Sequence, residues 1–203
     1  MHETLTTTLR APFRRARPDD APVLAELVNY AGEGLPLYLW GKLAEPGETA
    51  WDVGRRRAAR DEGSFSYRNA TIIERAGKPA GCLIGYLIPP HSEPVAADTP
   101  AMFVPLQELE NAAPATWYVN VLAVRPQFRG QGLGTVLLGL ADDTARSLGL
   151  GALSVIVSDA NTGARRLYER CGYVERATRA MEKEGWENAG GNWVLLIREL
   201  GAQ

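Results

Sequence analysis

The stretch NVLAVRPQFRGQGLGTVLLGLADDTARSLG, residues 120–149, sets the tightest constraint on this chain. Gly130, Gly132 and Gly134 stand at every second position between an apolar run and a helical pattern. A glycine inside a regular element costs roughly 0.5–1 kcal/mol relative to alanine, so a cluster of them calls for a compensating contact with backbone. The segment after them is specified as a helix. Leu133, Val136, Leu137, Leu140, Ala141, Ala145 and Leu148 follow i, i+3, i+4, i+7 spacing, and Gly149 marks the end. The N-terminus of that helix follows the strand VNVLAV and presents unpaired N–H groups and the positive end of its dipole. Without side chains at the three glycines an anion can approach the main chain, and a pyrophosphate fits this description.

Two familiar phosphate loops are poor matches. Counted from Gly130, a dinucleotide fingerprint places its third glycine at Thr135, and no acidic residue ends a second strand at the required distance. A nucleoside-triphosphate loop needs a lysine after its glycines, where this chain has Gly134-Thr135.

The rest of the chain reads as alternating elements. FRRAR is a short extended segment, and Pro18 with Asp19 and Asp20 opens a helix carrying Val23, Leu24, Leu27 and Val28. The bend GEGLPLYLWGKLAEPG leads to a second helix within ETAWDVGRRRAARDEG, with Trp51, Gly54, Ala58 and Ala59 on one narrow face. ATIIERAGKPAGCLIGYLI alternates about a glycine turn as a hairpin. Residues 89–115 form a long proline-rich connection with one helical candidate, PLQELENA, and connections of that length often serve as lids or binding loops. TWYVNVLAV is a strand whose Trp117 and Tyr118 are expected to divide between core and cleft; ALSVIVS is a strand, NTGARRLYERCG a helix, and YVERATRAMEKE with NWVLLIREL a terminal strand pair.

Composition excludes several classes. The chain has 203 residues, 45% of them hydrophobic and 23% charged, with a net charge of −2, as expected of one soluble globular domain spanning 1–203 without the basic excess of a nucleic-acid binder. The start MHETLTTTLRAPFRRARPDD lacks the apolar core of a signal peptide and no run suits a membrane span, so a cytoplasmic protein, monomer or homodimer, is expected. Cys82 and Cys171 read as buried free thiols, and with His2 and His91 as the only histidines no metal site is expected.

VLAVRPQFRGQGLGTVLL together with NTGARRLYERCGY closely resembles the GNAT N-acetyltransferase superfamily. The family's pyrophosphate motif lands on Arg129, Gly132 and Gly134, and its later signature on Asn161, Ala164, Leu167, Tyr168, Gly172 and Tyr173. The resemblance implies an α/β acyl-CoA N-acyltransferase fold. Its central sheet is mixed and mostly antiparallel, in the order β-α-α-β-β-β-α-β-α-β-β, with a splay between the fourth and fifth strands. It also implies acetyl-CoA as cofactor, paired through its pantetheine to the backbone of Leu122, Ala123 and Val124, with the pyrophosphate on the N–H groups of Gly130, Gln131, Gly132, Leu133, Gly134 and Thr135. An amide near Asn120 to Leu122 would polarise the thioester oxygen, and Tyr168 would protonate the leaving thiolate. Asn161 can cap its helix, contact CoA, or do both.

The resemblance leaves the general base open, since this fourth strand carries Asn120 where many members have a glutamate. Glu33, Glu108 and Glu110 are the candidates elsewhere, each with a solvated carboxylate as the competing reading. Tyr30, Tyr38 and Trp40, with Asn120, are candidates to line the acceptor pocket, joined by Met102 and Phe103 of the long connection as a lid; ordinary core packing is the competing reading. The function expected is acetyl transfer from acetyl-CoA to a primary amine of a small molecule. Protein amino groups, and a non-catalytic acyl-CoA-binding or regulatory module, are the alternatives.

Overall fold

The structure is a computed structural model that describes residues 9–201. The N-terminal eight residues, with His2, lie outside the described residues, so the reading of the chain's start is carried by sequence alone.

Among the described residues seven strands form one sheet in the order β1 (Phe13–Arg15), β2 (Ala70–Arg75), β3 (Lys78–Leu87), β4 (Trp117–Val124), β5 (Ala152–Ser158), β7 (Asn192–Glu199), β6 (Val174–Ala180). Every neighbouring pair is antiparallel except β4 and β5. The mixed, mostly antiparallel sheet expected from the sequence is therefore present. The β2–β3 hairpin turns on Ala76 and Gly77, both at positive φ (51° and 70°), the geometry that matches the right-handed twist of the flanking strands.

Among the described residues six α-helices cover the sheet: α1 (Ala21–Ala31), α2 (Leu35–Lys42), α3 (Ala50–Ala58), α4 (Val104–Asn111), α5 (Leu133–Ser147) and α6 (Thr162–Arg170). One face packs against α5 and α6, where Leu137, Leu138 and Ala141 meet Ile73, Leu83, Val119, Leu153 and Leu196. The buried stripe of α5 is rotated from the one read in sequence: Leu138 is inside, whereas Val136 and Leu148 are exposed. On the other face α1 and α3 cover the β2–β4 half, with Leu24, Leu27, Val28 and Val53 on Ile72, Ile84 and Val121. The β5–β7 half is covered by α4 and the segment before β7, through Met102, Leu109, Trp186 and Leu195.

Two features of the early helices come from local chemistry. Residues 35–42, expected as a bend, are helical: Gly34 at φ 89° turns the chain and Pro36 stands in the first turn, where its missing N–H costs nothing. α3 begins with a capping box in which Asp52 N–H donates to Thr49 Oγ1 (3.2 Å) and Thr49 N–H donates to Asp52 Oδ2 (2.9 Å).

Two irregularities open the sheet at its centre. β4 and β5 pair only at Trp117–Leu153 and Tyr118–Ser154, so the strands diverge beyond Tyr118. On the other side of β4, Ile84 pairs with Val121 while Gly85 pairs with Val119, which leaves Asn120 as an extra, bulged residue. The bulge reverses the pleat. Trp117 and Val119 pack towards α5, whereas Val121 and Ala123 pack towards α1. Among the described residues no helix is long and apolar enough to cross a membrane.

Candidate active site

The divergence of β4 from β5 makes a cleft of about 730 Å³, walled by both strands, the start of α5, the start and inner face of α6, and the α1–α2 turn. Asn120, Leu122, Ala123 and Val124 line its β4 side, where no β5 partner occupies the strand's outer backbone groups. A β-strand edge inside a cleft offers N–H and C=O groups for an extended ligand chain.

At one end lies the glycine loop. Gly130 and Gly132 have φ of 73° and 77°, and a Cβ built on either would meet nothing within 4 Å, so open space faces the backbone there. Gly134 serves packing instead: a Cβ there would come within 2.8 Å of Leu167 Cδ2, so its absence lets α5 approach α6. Arg129, Gly130, Gly132, Leu133, Gly134 and Thr135 line the cleft. Gln131 alone in this run does not, its amide donating back to the Gln127 carbonyl at 3.5 Å. Arg129 Nε donates to the Val124 carbonyl (3.0 Å), and its guanidinium lies 5.6 Å from the Tyr30 ring centroid. Next along, Arg125 pairs with Glu26, which also accepts from Tyr30 Oη at 3.2 Å, so the end of β4 is tied to α1.

This loop and strand fit an acyl-CoA. A positive-φ cradle that a Cβ would fill, the open N-terminus of a 15-residue helix and a free strand edge are the parts a pyrophosphate and an amide-bearing arm require.

α6 supplies the opposite wall. Asn161 caps it, with Oδ1 accepting from Ala164 N–H at 3.1 Å, and both residues line the cleft. Tyr168 also lines the cleft although its side chain is almost wholly buried. Among the described residues no protein group hydrogen-bonds its hydroxyl, which leaves that group free for a ligand. Burial pushes the Tyr168 phenol well above the ordinary tyrosine range, with Cys171 adding to the effect, so the hydroxyl keeps its proton at neutral pH.

The acceptor candidates divide. Tyr30 and Asn120 line the cleft. Tyr38 does not: its hydroxyl donates to the Glu184 carbonyl and its ring carries Lys42 Nζ at 4.5 Å. Trp40 is a core residue. Its ring stacks on Phe65 at 5.7 Å and fills the space over Gly54, because α2 turns that side inward. The connection 89–115 contributes nothing to the cleft wall; Met102 is buried beneath Trp186 and Trp193, and the helix α4 anchors the segment to β5–β7. Trp117 and Tyr118 are both buried, the first against Gly85 and the second against Tyr86 at 5.2 Å, because the strands have not yet parted at their position. Cys82 is a buried free thiol, whereas Cys171 is free but only half-buried.

Of the three carboxylates considered from sequence, only Glu33 reaches the cleft. Glu108 pairs with Arg179 of β6 at 2.5 Å and Glu110 accepts from Tyr86 Oη of β3 at 3.2 Å, and neither lines the cleft. Ser158 and Trp193 also line the cleft and carry no motif; their only signal is a place at the end of one strand and the start of its neighbour.

Comparison with known proteins agrees with this geometry. A family model described as the acetyltransferase (GNAT) family matches residues 37–173. The chain is 28% identical over 149 residues to an L-2,4-diaminobutyric acid acetyltransferase of Streptomyces coelicolor, covering 68% of this chain and 74% of that one. It is 33% identical over 186 residues to a mycothiol acetyltransferase of Thermobispora bispora, covering 82% of this chain and 55% of the relative, so it spans about half the length of that protein. Among solved structures, an acetyltransferase crystal structure superposes with a TM-score of 0.63 at 24% identity, over 93% of this chain and 99% of that one. An N-acetyltransferase from Staphylococcus aureus does so at 0.60 and 18%, over 91% and 98%.

Proposed function

This chain belongs to the GNAT acetyltransferase family, which makes it an acetyl-CoA-dependent N-acetyltransferase, and we propose that it acts on the primary amine of a small molecule. The observation that supports the acceptor class is the part of the cleft wall outside the glycine loop, where Glu33 of the α1–α2 turn, Asn120 of β4, Ser158 of β5 and Trp193 of β7 line a concave site. Two relatives are named for small acceptors, diaminobutyric acid and mycothiol.

In this reading the N–H groups of Gly130, Gly132, Leu133, Gly134 and Thr135 hold the pyrophosphate, aided by Arg129. The backbone of Leu122, Ala123 and Val124, which has no β5 partner, runs along the pantetheine arm, with the Val124 carbonyl taken by Arg129. Asn161 and Ala164 border the same arm from α6. Acetyl-CoA supplies an acetyl group activated as a thioester. The bulge leaves Asn120 without a β3 partner, and a β4 amide at Asn120 to Leu122 is the donor that polarises the thioester oxygen in this reading. Tyr168 keeps its proton at Oη and is the proton source for a departing thiolate.

The test is calorimetric titration with acetyl-CoA followed by thiol release against a panel of small amines, peptide N-termini and lysine peptides. Saturable turnover of small amines is expected. Turnover of peptides alone would overturn the acceptor class, and acetyl-CoA binding without thiol release on any member would return the non-catalytic reading.

A further inference from the structure

The cleft carries few charged residues. Among the described residues that line it, Arg129 and Arg170 are the only basic side chains and Glu33 is the only acidic one. The arginines border the glycine loop and α6, where a cofactor's phosphates are expected. Glu33 stands on the α1–α2 turn and, among the described residues, pairs with no cationic side chain.

Its position is held from a distance in sequence. Glu33 sits at φ 51°, between Gly32 and Gly34. Its Oε2 accepts from Asn188 Nδ2 at 2.9 Å, and its carbonyl accepts from the Trp186 indole N–H at 3.3 Å. Asn188 is itself fixed: its Oδ1 accepts from Gly190 N–H (2.7 Å) and from Ser158 Oγ (3.3 Å), and its carbonyl accepts from Lys183 Nζ (2.7 Å). Trp186 stacks on Trp193, a cleft residue, at 5.8 Å and 10°. The β6–β7 connection thus clamps one carboxylate to the cleft wall with Oε1 left without a hydrogen bond among the described residues.

A fixed anion with a free oxygen is a receptor for a cation. That cation is not the reacting nitrogen, because a neighbouring carboxylate favours the protonated form of an amine, and a protonated amine has no lone pair with which to attack. We infer that Glu33 binds a second ammonium of the acceptor, so that the preferred substrates are small molecules with at least two amino groups, and that Asn188 is the residue that positions Glu33. The inference rests on the reading that a small amine enters this cleft, and it makes Glu33 a specificity residue rather than the general base.

The test uses the protein loaded with CoA and titrates it calorimetrically with a series of α,ω-diamines, each against the monoamine of the same chain length. Wild type is expected to bind its best diamine at least about tenfold more tightly than the matching monoamine, the size of one charge-assisted hydrogen bond. Glu33→Gln should bring that ratio to within about threefold of one, and Asn188→Ala should lower it partway, a change in preference that a purely structural role would not produce. The CoA-induced rise in melting temperature reports that each variant is folded. Equal binding of diamine and monoamine by wild type, or a preference that survives Glu33→Gln, would overturn the assignment. Thiol release with acetyl-CoA is measured in parallel. A preferred diamine that binds but is never acetylated would sink the small-amine acceptor while leaving Glu33 as its binding group, and acetylation without preference would do the reverse.

Discussion

Gly132→Asp isolates the electrostatic part of cofactor binding. Gly132 caps α5 at φ 77°, with nothing within 4 Å of where a Cβ would stand. Left-handed backbone costs most L-residues about 1–2 kcal/mol, but aspartate and asparagine visit it routinely because their side chains bond locally, so the helix should survive either substitution. The carboxylate would then occupy the open space at the helix N-terminus that a pyrophosphate needs. Two unit charges about 4 Å apart interact by about 4 kcal/mol at the effective dielectric near a protein surface, which corresponds to roughly a thousandfold in Kd. Gly132→Asn has the same size and backbone tolerance without the charge, and should lose only the share due to crowding. Calorimetry with CoA gives the two affinities, and thermal melting with and without CoA shows whether each variant is folded. Wild type at about 100 times Kd should melt roughly 5–10 °C higher with ligand. Equal loss in the aspartate and asparagine variants would refute the argument that a phosphate lies against this backbone, and so would wild-type affinity in a folded Gly132→Asp.

Tyr168→Phe should lower kcat by about 10²–10⁴-fold with CoA affinity nearly kept, as measured by steady-state kinetics beside calorimetry, and a loss under about threefold would leave Tyr168 as a core ring alone. Asp20→Asn should destabilise the fold by about 2 kcal/mol, read as a melting temperature roughly 4–8 °C lower, because Asp20 accepts from Arg14 Nη1 (2.7 Å), Arg14 Nη2 (2.9 Å) and Arg17 N–H (2.7 Å). Burial alone would raise the Asp20 pKa, but Arg14 and the Arg17 N–H outweigh it and the net shift is downward. The stability so gained is full above the unfolded value of about 3.9 and is lost as pH falls through the lower folded value, so wild type should lose more melting temperature than Asp20→Asn between about pH 5 and about pH 2. Leu109→Ala, at a wholly buried position of α4, should cost about 2–5 kcal/mol in denaturant unfolding, and a cost under about 1 kcal/mol would mean that α4 is loosely attached.

What sequence conveyed was local. The end of β4, the glycine loop, α5 and the cap of α6 are contiguous segments whose spacing reports their geometry directly, and Asn161 does cap its helix. The misreadings concern relations between distant segments. Whether Trp40 faces cleft or core depends on Gly54, which leaves room for its ring one helix later. Whether residues 89–115 close over the cleft depends on where Met102 and Leu109 find an apolar partner, and that partner is Trp186 with Trp193, far along the chain. The Glu33 carboxylate is likewise held by a residue 155 positions away.

The bulge at Asn120 shows why such relations decide the site. A bulge is a mismatch of register between two strands, so neither β3 nor β4 contains it alone. Here it falls two residues beyond the last β4–β5 pair. Had β4 kept its alternation, Val121 and Ala123 would face α5 with Trp117 and Val119, and Leu122 and Val124 would face α1. With the extra residue, Leu122 and Val124 instead turn to the side of α5 and α6, and the β4 backbone is re-aimed where β5 has already left. The divergence alone would open a gap beside a regular strand; the divergence and the bulge together put unpaired β4 backbone, the α5 N-terminus and Tyr168 around one space. Restoring the register by deleting Asn120 should therefore abolish CoA binding even in a protein that still folds, and calorimetric detection of wild-type CoA affinity in that deletion would show that the splay suffices without the bulge.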